Sequence, residues 1–415
     1  MSGAQRTLQH VPFFEALASF QDDTADWRAM SAGLVTLRLF DAWLEEGPSV
    51  VAGDAWGLRA VREAIALIDR RNTHRALLTS VVDAMTAMPA AGIATVAPRL
   101  MAYGRAMQFD AHWPLAADVY RTVIAHAHPV EDSDVVVTAN MQLGACLRMT
   151  ADWSEAAVAY STAGQIAALT GDIMNVLCSR VSEANIAIDR GNLPQAESIL
   201  DETIGRAREA RLEETAALAL HARSHAAYQR GDHDRAVRLA YEALAGTRAP
   251  TARDRILGDV AASFIQLGLR SAARDAYLIL AATAREQYVR WTATINLMEL
   301  AALEHIEPLF EQYRRELSDR DMPPTMAAYY HYYLAQGHRL FRHPEQARPA
   351  LQRAIEIAAE FQINQVLFLA EASLAELGAG RQVAARAPAD EVHSAEAMEV
   401  AGAIREMRQL AGLAG

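Results

Sequence analysis

The stretch GACLRMTADWSEAAVAYSTA, running from Gly144 to Ala163, decides the fold of this 415-residue chain. It places a small residue, Gly144, seven positions before a turn at Ala151. Ala156 follows, then a large ring at Tyr160 and another small residue at Ala163. The phrase recurs as Ala184, Gly191, Ala196 and Leu200, and as Ser224, Gly231, Ala236, Ala240 and Ala243. Upstream it reads Gly104, Ala111, Ala116 and Tyr120. The alanine that opens the second half of the phrase acts as a ruler. It falls at Ala76, Ala116, Ala156, Ala196 and Ala236 in steps of 40 residues, then at Ala273, Phe310 and Ala347 in steps of 37. Phe310 breaks the residue type, so its repeat is expected to pack differently from the others.

A fixed period of this length marks an array of repeated supersecondary units. Small residues in both halves let two helix backbones approach where they cross, and the large residue one turn later, Tyr120, Tyr160, Leu200 or Tyr277, fills the space beside the crossing. Helix-start chemistry sits between the halves. Asn192, followed by Pro194, and Asp232 are expected to cap the second helices of their pairs.

These residues resemble the tetratricopeptide repeat (TPR) family, whose pattern Gly144, Leu147, Ala151, Ala156, Tyr160 and Ala163 match and which Ala335, Ala347, Leu351 and Ala354 follow more loosely. The usual repeat is 34 residues with a closing proline. The longer unit here looks like the arrays of large bacterial transcriptional activators and related signalling proteins. The resemblance covers roughly residues 57–378. It implies an all-α fold, a right-handed α-solenoid of TPR-like helix-turn-helix repeats with terminal capping helices.

Composition narrows the function. Hydrophobic residues make up 52% of the chain, and glycine and proline are sparse, as suits a folded helical protein. The net charge of −12 is spread along the chain and argues against direct nucleic-acid or anionic-membrane binding. All 39 basic residues are arginine. Without lysine there is no Schiff-base chemistry and no lysine-bearing phosphate loop. Cys146 and Cys178 lie too far apart for metal-ligand spacing and read as reduced thiols in helices. The first ten residues lack the apolar core of a signal peptide, and no window reads as a membrane span, so a soluble cytoplasmic protein is expected.

Three regions are expected. Residues 1–56 comprise a loosely held arm with an apolar patch, Val11 to Phe14, and a capping helix from Ala25 to Glu46. The repeat array occupies 57–378, and 379–415 hold a linker, Arg381 to Asp390, and a final helix from Ser394. Two roles stay open for that helix: capping the array, or leaving it to join copies of the chain in a homo-oligomer.

Sequence signatures of catalysis and cofactor binding are absent. There is no GxGxxG, Walker loop, HExxH, GxSxG or CxxC, so neither enzyme activity nor a cofactor is expected. The run from His126 to Asp134 is the most metal-like. Its histidines, however, end a helix and its aspartates begin the next, as the helix dipoles favour. His221 and His225 share a helix face but lack a third ligand. Helical spacing cannot bury every ring of the run Tyr329 to Tyr333 on one face.

In the TPR family the first helices of successive pairs line the binding surface. By register the resemblance implies Arg105, Met141, Arg148, Asn185, His221, His225, Gln229, Glu299, Tyr329, Tyr332, Gln336 and Arg339 as partner-facing residues. The family's capture of C-terminal carboxylates by lysines and asparagines is not expected, because Asn185 alone is no clamp. The leading expectation is a scaffold or adaptor holding a protein or peptide partner. A regulatory sensor that binds a small signalling ligand is the second.

Overall fold

The computed structural model describes residues 9–20, 22–53, 55–87, 92–110, 112–318, 320, 322, 324–361, 363–380 and 394–413. Met1 to Leu8 of the arm, Ala111 of the upstream turn and the Arg381–Asp390 linker lie outside the described residues. Among those described there are twenty α-helices and no strand. They divide into two compact units, Met1–Arg190 and Gly191–Gly415.

The first unit holds α1 (Val11–Ser19), α2 (Ala25–Glu46), α3 (Trp56–Ala66), α4 (Thr73–Ala87), α5 (Ile93–Phe109), α6 (Trp113–His126), α7 (Ser133–Met149), α8 (Trp153–Leu169) and α9 (Ile173–Asp189). The second holds α10 (Leu193–Glu209), α11 (Glu213–Gln229), α12 (His233–Gly246), α13 (Pro250–Gln266), α14 (Arg270–Thr283), α15 (Gln287–Leu303), α16 (Glu307–Leu317), α17 (Pro324–Leu340), α18 (Pro344–Glu360), α19 (Asn364–Gly378) and α20 (Ala395–Leu410). Within each unit most successive helices pack on one another in chain order, with α17 packed back on α15 more than on α16, and α20 on α12 and α14, so each is a segment of α-solenoid.

One turn joins many of these helices. A single residue in the left-handed region, such as Ala151 (φ 60°), Gly231 (φ 84°) or Arg342 (φ 62°), separates the end of one helix from the start of the next. The following N–H bonds back to the carbonyl five residues earlier: Asp152 to Leu147 at 2.9 Å, Asp232 to Ala227 at 3.0 Å and His343 to His338 at 2.8 Å. The side chains of Asp152, Asp172, Asn192 and Asp232 then accept from the third backbone N–H of the helix they open.

The ruler residue is the fourth residue of every even-numbered helix from α4 to α18. From Ala116 onward each one is buried. Where the first helix carries glycine, the large side chain fills the space that a Cβ would need. A Cβ on Gly144 would stand 2.6 Å from the Tyr160 ring, and Gly104 faces Tyr120 in the same way. Phe310 departs by packing forward: its fully buried ring lies on Gly337 of α17, where a Cβ would overlap it. Ala76 also departs, because it is exposed. The buried face of α4 is His74, Leu78, Val81, Val82 and Met85 instead. Helix α4 packs on α2 as well as on α3 and α5, and Tyr103 of α5 lies against Gly33 of α2.

The arm is not loose over the described residues. Phe13 is fully buried, and His10, itself left-handed at φ 60°, ties α1 to α2 and α6. Its Nε2 lies 2.9 Å from Asp41 Oδ2 and its Nδ1 2.8 Å from Asp118 Oδ2, while His126 Nε2 lies 3.0 Å from the other Asp41 oxygen. Both His10 nitrogens face carboxylate oxygens, so both donate and the ring is an imidazolium. The carboxylates outweigh the opposing effect of burial and hold its pKa up at about 9. In the second unit α20 lies across α12 and α14. Ser394 caps it and also donates its hydroxyl to Asp234 at 2.5 Å, and Arg408 reaches the buried Asp275 at 3.2 Å.

Gly337→Ala is expected to lose about 1–3 kcal/mol by overpacking against Phe310, despite alanine's better helix propensity. Gly205→Ala, where a Cβ meets nothing within 4 Å, is expected to gain about 0.5–1 kcal/mol; urea denaturation measures both. His10→Ala tests the buried network. The folded-state pKa of His10 lies above its unfolded value of 6.5, so its contribution is complete below 6.5 and fades as the pH rises through about 9. The loss on substitution is expected to be on the order of 2–3 kcal/mol at pH 6 and to shrink steadily toward pH 9.5.

Candidate functional site

The odd-numbered helices from α5 onward are the first helices of their pairs. The partner-facing residues inferred from register fall four in the first unit and eight in the second. In the first unit Arg105 is exposed and Asn185 is partly buried. Met141 packs against the hydrophobic core, and Arg148 bridges from α7 to Asp189 of α9 at 2.9 Å. A parallel link joins Gln108 of α5 to the Sγ of Cys146 on α7 at 3.0 Å. Burial pushes that thiol up to about 11, so it is an inert core thiol.

In the second unit the same kind of link runs from one first helix to the next. His221 Nε2 of α11 lies 2.6 Å from Asp259 Oδ2 of α13. Between α17 and α19, Tyr329 Oη donates to Gln365 Oε1 at 3.1 Å, Gln336 Nε2 donates to Ser373 Oγ at 2.8 Å, and Arg339 pairs with Glu376 at 2.8 Å. Arg339 is itself buried and also donates to Gln336 Oε1 at 3.1 Å. Three residues implied as partner-facing therefore brace two helices against each other, while His225 and Gln229 stay exposed.

Glu299 of α15 differs from these residues. It is partly exposed and has no hydrogen-bond or ion-pair partner among the described residues. Burial alone raises its carboxyl to about 7. Its charge is felt by the phenols of Tyr332 and Tyr333 on α17 and of Tyr277 on α14, all shifted upward, chiefly by burial. Tyr333 stacks on Tyr329 with centroids 6.2 Å apart and meets Tyr332 edge-on at 5.4 Å. Tyr288, 47% exposed, stands on α15. Tyr330, by contrast, is buried. Tyr329, Tyr332 and Tyr333 form one ring cluster on α17, and the charge of Glu299 reaches Tyr332, Tyr333 and Tyr277. The spacing of Tyr333 from Tyr329, four residues on one helix face, is the sequence signal for Tyr333. Tyr277, in a second helix, gives no such signal.

A well-formed cleft lies elsewhere. A cleft of about 740 Å³ in the first unit is lined by Arg70, Arg75, Thr79, Ser80, Asp83 and Arg99 among others, and contains none of the twelve residues. In the His126–Asp134 run His126 is taken up by Asp41, His128 Nδ1 accepts from the Glu131 backbone N–H at 3.2 Å, and Asp132 accepts from the His128 N–H at 2.9 Å. Among the described residues no group of three or more histidine, cysteine or acidic side chains is placed to hold a metal, and no helix is long and apolar enough to cross a membrane.

Because its folded-state pKa is raised, Glu299 costs stability once it ionises. Glu299→Gln is expected to be more stable than the wild type by about 2 kcal/mol at pH 8, with the gap narrowing as the pH falls through 7 toward 6. Thermal melts of both proteins across that range measure it.

No protein-family profile matches this chain, and no curated protein matches it in sequence. Among solved structures it is similar to a Rap protein complexed with competence and sporulation factor, with a TM-score of 0.43 and 10% identity over 85% of this chain and 98% of that one. It is also similar to BtubC (BKLC) from P. vanneervenii, with a TM-score of 0.35 and 16% identity over 60% of this chain and 85% of that one. Likenesses at these scores say nothing of what this chain binds.

Proposed function

We propose that the chain is a non-catalytic, TPR-like scaffold that holds a segment of a protein partner against the first-helix face of its second unit. One observation carries this reading. That face keeps Tyr288 of α15 and Tyr329, Tyr332 and Tyr333 of α17 partly or well exposed, and Tyr329, Gln336 and Arg339 brace α17 to α19. Partly exposed tyrosines supply large anchors at low entropic cost. A backbone fixed before binding spares the ordering cost that weakens most associations. The missing catalytic signatures favour recognition over chemistry in the same region.

The test is affinity capture from a native lysate, followed by measurement with the purified partner. The baits are the wild type, a His225→Glu/Tyr288→Ala variant of the first-helix face, and a Glu242→Ala control on α12. A partner retained by wild type and control, with affinity reduced about tenfold or more by the first-helix variant, is the expected result. Equal loss with control and variant overturns the assigned face. No partner with any bait overturns the scaffold reading and shifts weight to a small-ligand regulator using the arginine-lined cleft of the first unit.

A further inference from the structure

We infer that the cleft beside α4 in the first unit binds a small organic anion carrying at least two phosphate or carboxylate groups. The site is independent of the scaffold reading, whose binding face lies in the second unit.

The space exists where one repeat departs from the rest. From Ala116 onward the ruler residue is buried in its pair, but Ala76 is exposed and lines the cleft. Ser80, Asp83 and Ala87 follow it at helical spacing along the same side of α4. These side chains are short, and a volume of about 740 Å³ stays open beside them. That is the size of a small-molecule site. The rise from Ala76 to Ala87 gives it a length of about 16 Å.

The walls are cationic in a chain whose net charge is −12. Arg70, Arg75 and Arg99 line the cleft against one carboxylate, Asp83. None of the four has an ion-pair partner among the described residues. Arg121 and Arg148 of the same unit, by contrast, meet Glu155 at 2.6 Å and Asp189 at 2.9 Å. Two of the cleft arginines are held from one side only. Arg75 Nη1 donates to the carbonyls of Ile68 at 2.7 Å and Ala66 at 3.3 Å, where α3 ends. Arg99 Nη1 donates to the Thr95 carbonyl at 2.6 Å. In both, Nε and Nη2 make no hydrogen bond among the described residues, so the edge that grips an oxyanion with two parallel bonds is unspent. The hydroxyls of Ser80 and Thr95, on partly buried residues of the cleft, are likewise without a hydrogen-bond partner among the described residues.

This arrangement selects its ligand. Guanidinium edges on two different helices, α4 and α5, suit a molecule with two anionic groups. Asp83 repels a compact inorganic ion and accepts from a hydroxyl or an amine, which an organic molecule supplies. The negative charge of the rest of the chain disfavours a long polyanion such as nucleic acid.

The test is isothermal titration calorimetry on the purified full-length chain at fixed ionic strength, with fructose 1,6-bisphosphate and citrate as probes. Three variants accompany the wild type. Arg70→Gln/Arg99→Gln removes two cleft cations, and Ala76→Trp fills the cleft at unchanged charge. Arg315→Gln/Arg348→Gln removes the same charge from exposed positions of the second unit. The wild type is expected to bind at least one probe saturably at a single site, and the preferred probe tells phosphate from carboxylate. The cleft arginine pair and Ala76→Trp should each weaken binding about tenfold or more, and the second-unit control less than about twofold. Melting points near that of the wild type without probe show that lost binding is not unfolding. Saturable binding of neither probe, or equal loss in the second-unit control, overturns the site. Tighter binding of a single-stranded oligonucleotide or of polyglutamate than of both probes, lost with the cleft arginine pair, overturns the small-molecule assignment.

Discussion

Much of the structure depends on a short turn that ends one helix and starts the next. A single left-handed residue reverses the chain, and the residue after it bonds back to the helix just finished while opening the one that follows. Where that residue is glycine, as at Gly231, the conformation is free of side-chain strain. Where it is Ala151, Arg211, His305 or Arg342, a cost of about 1–2 kcal/mol is carried by the bonds and packing on either side. The turn fixes how two helices leave each other, and with it which side chains meet at their crossing. Short connections of this kind make neighbouring helices antiparallel.

Given that geometry, close packing follows from small residues set against large ones. Tyr120 and Tyr160 occupy space that Gly104 and Gly144 leave open, and Phe310 does the same against Gly337 from the opposite direction. The Phe310 repeat keeps the spacing of the array while exchanging the place of its bulky residue. Interiors packed at this density tolerate such an exchange only when volume is conserved across the crossing.

Polar contacts then do two different jobs. Cross-helix pairs such as Arg148–Asp189, His221–Asp259 and Arg339–Glu376 brace first helices to each other. Buried pairs far apart in sequence anchor the ends: His10 with Asp41 and Asp118 in the first unit, Arg408 with Asp275 in the second. Glu299 belongs to neither group. Among the described residues it has no hydrogen-bond or ion-pair partner, and burial raises its carboxyl; uncompensated groups of that kind are enriched at binding sites.

The sequence by itself determined the fold class, the spacing of the pairs and the caps at Asn192 and Asp232. These depend on local turn chemistry and on a residue pattern repeated every 37 to 40 positions, both of which are written along the chain. It determined less where a helix has two serviceable faces. Ala76 keeps the ruler's place but not its burial, because α4 turns His74, Leu78, Val81, Val82 and Met85 to the helices around it, α2 among them. Only the tertiary structure decided that α1 is pinned through His10 and that α20 lies on α12 and α14, since those contacts join residues up to 160 positions apart. It alone decided which residues of the first-helix face are spent on bracing and which are left open. Arg339 and Glu299 look alike in sequence, two charged positions in first helices. What separates them is a carboxylate on the next first helix, which Arg339 has in Glu376, whereas Glu299 has no ion-pair partner among the described residues.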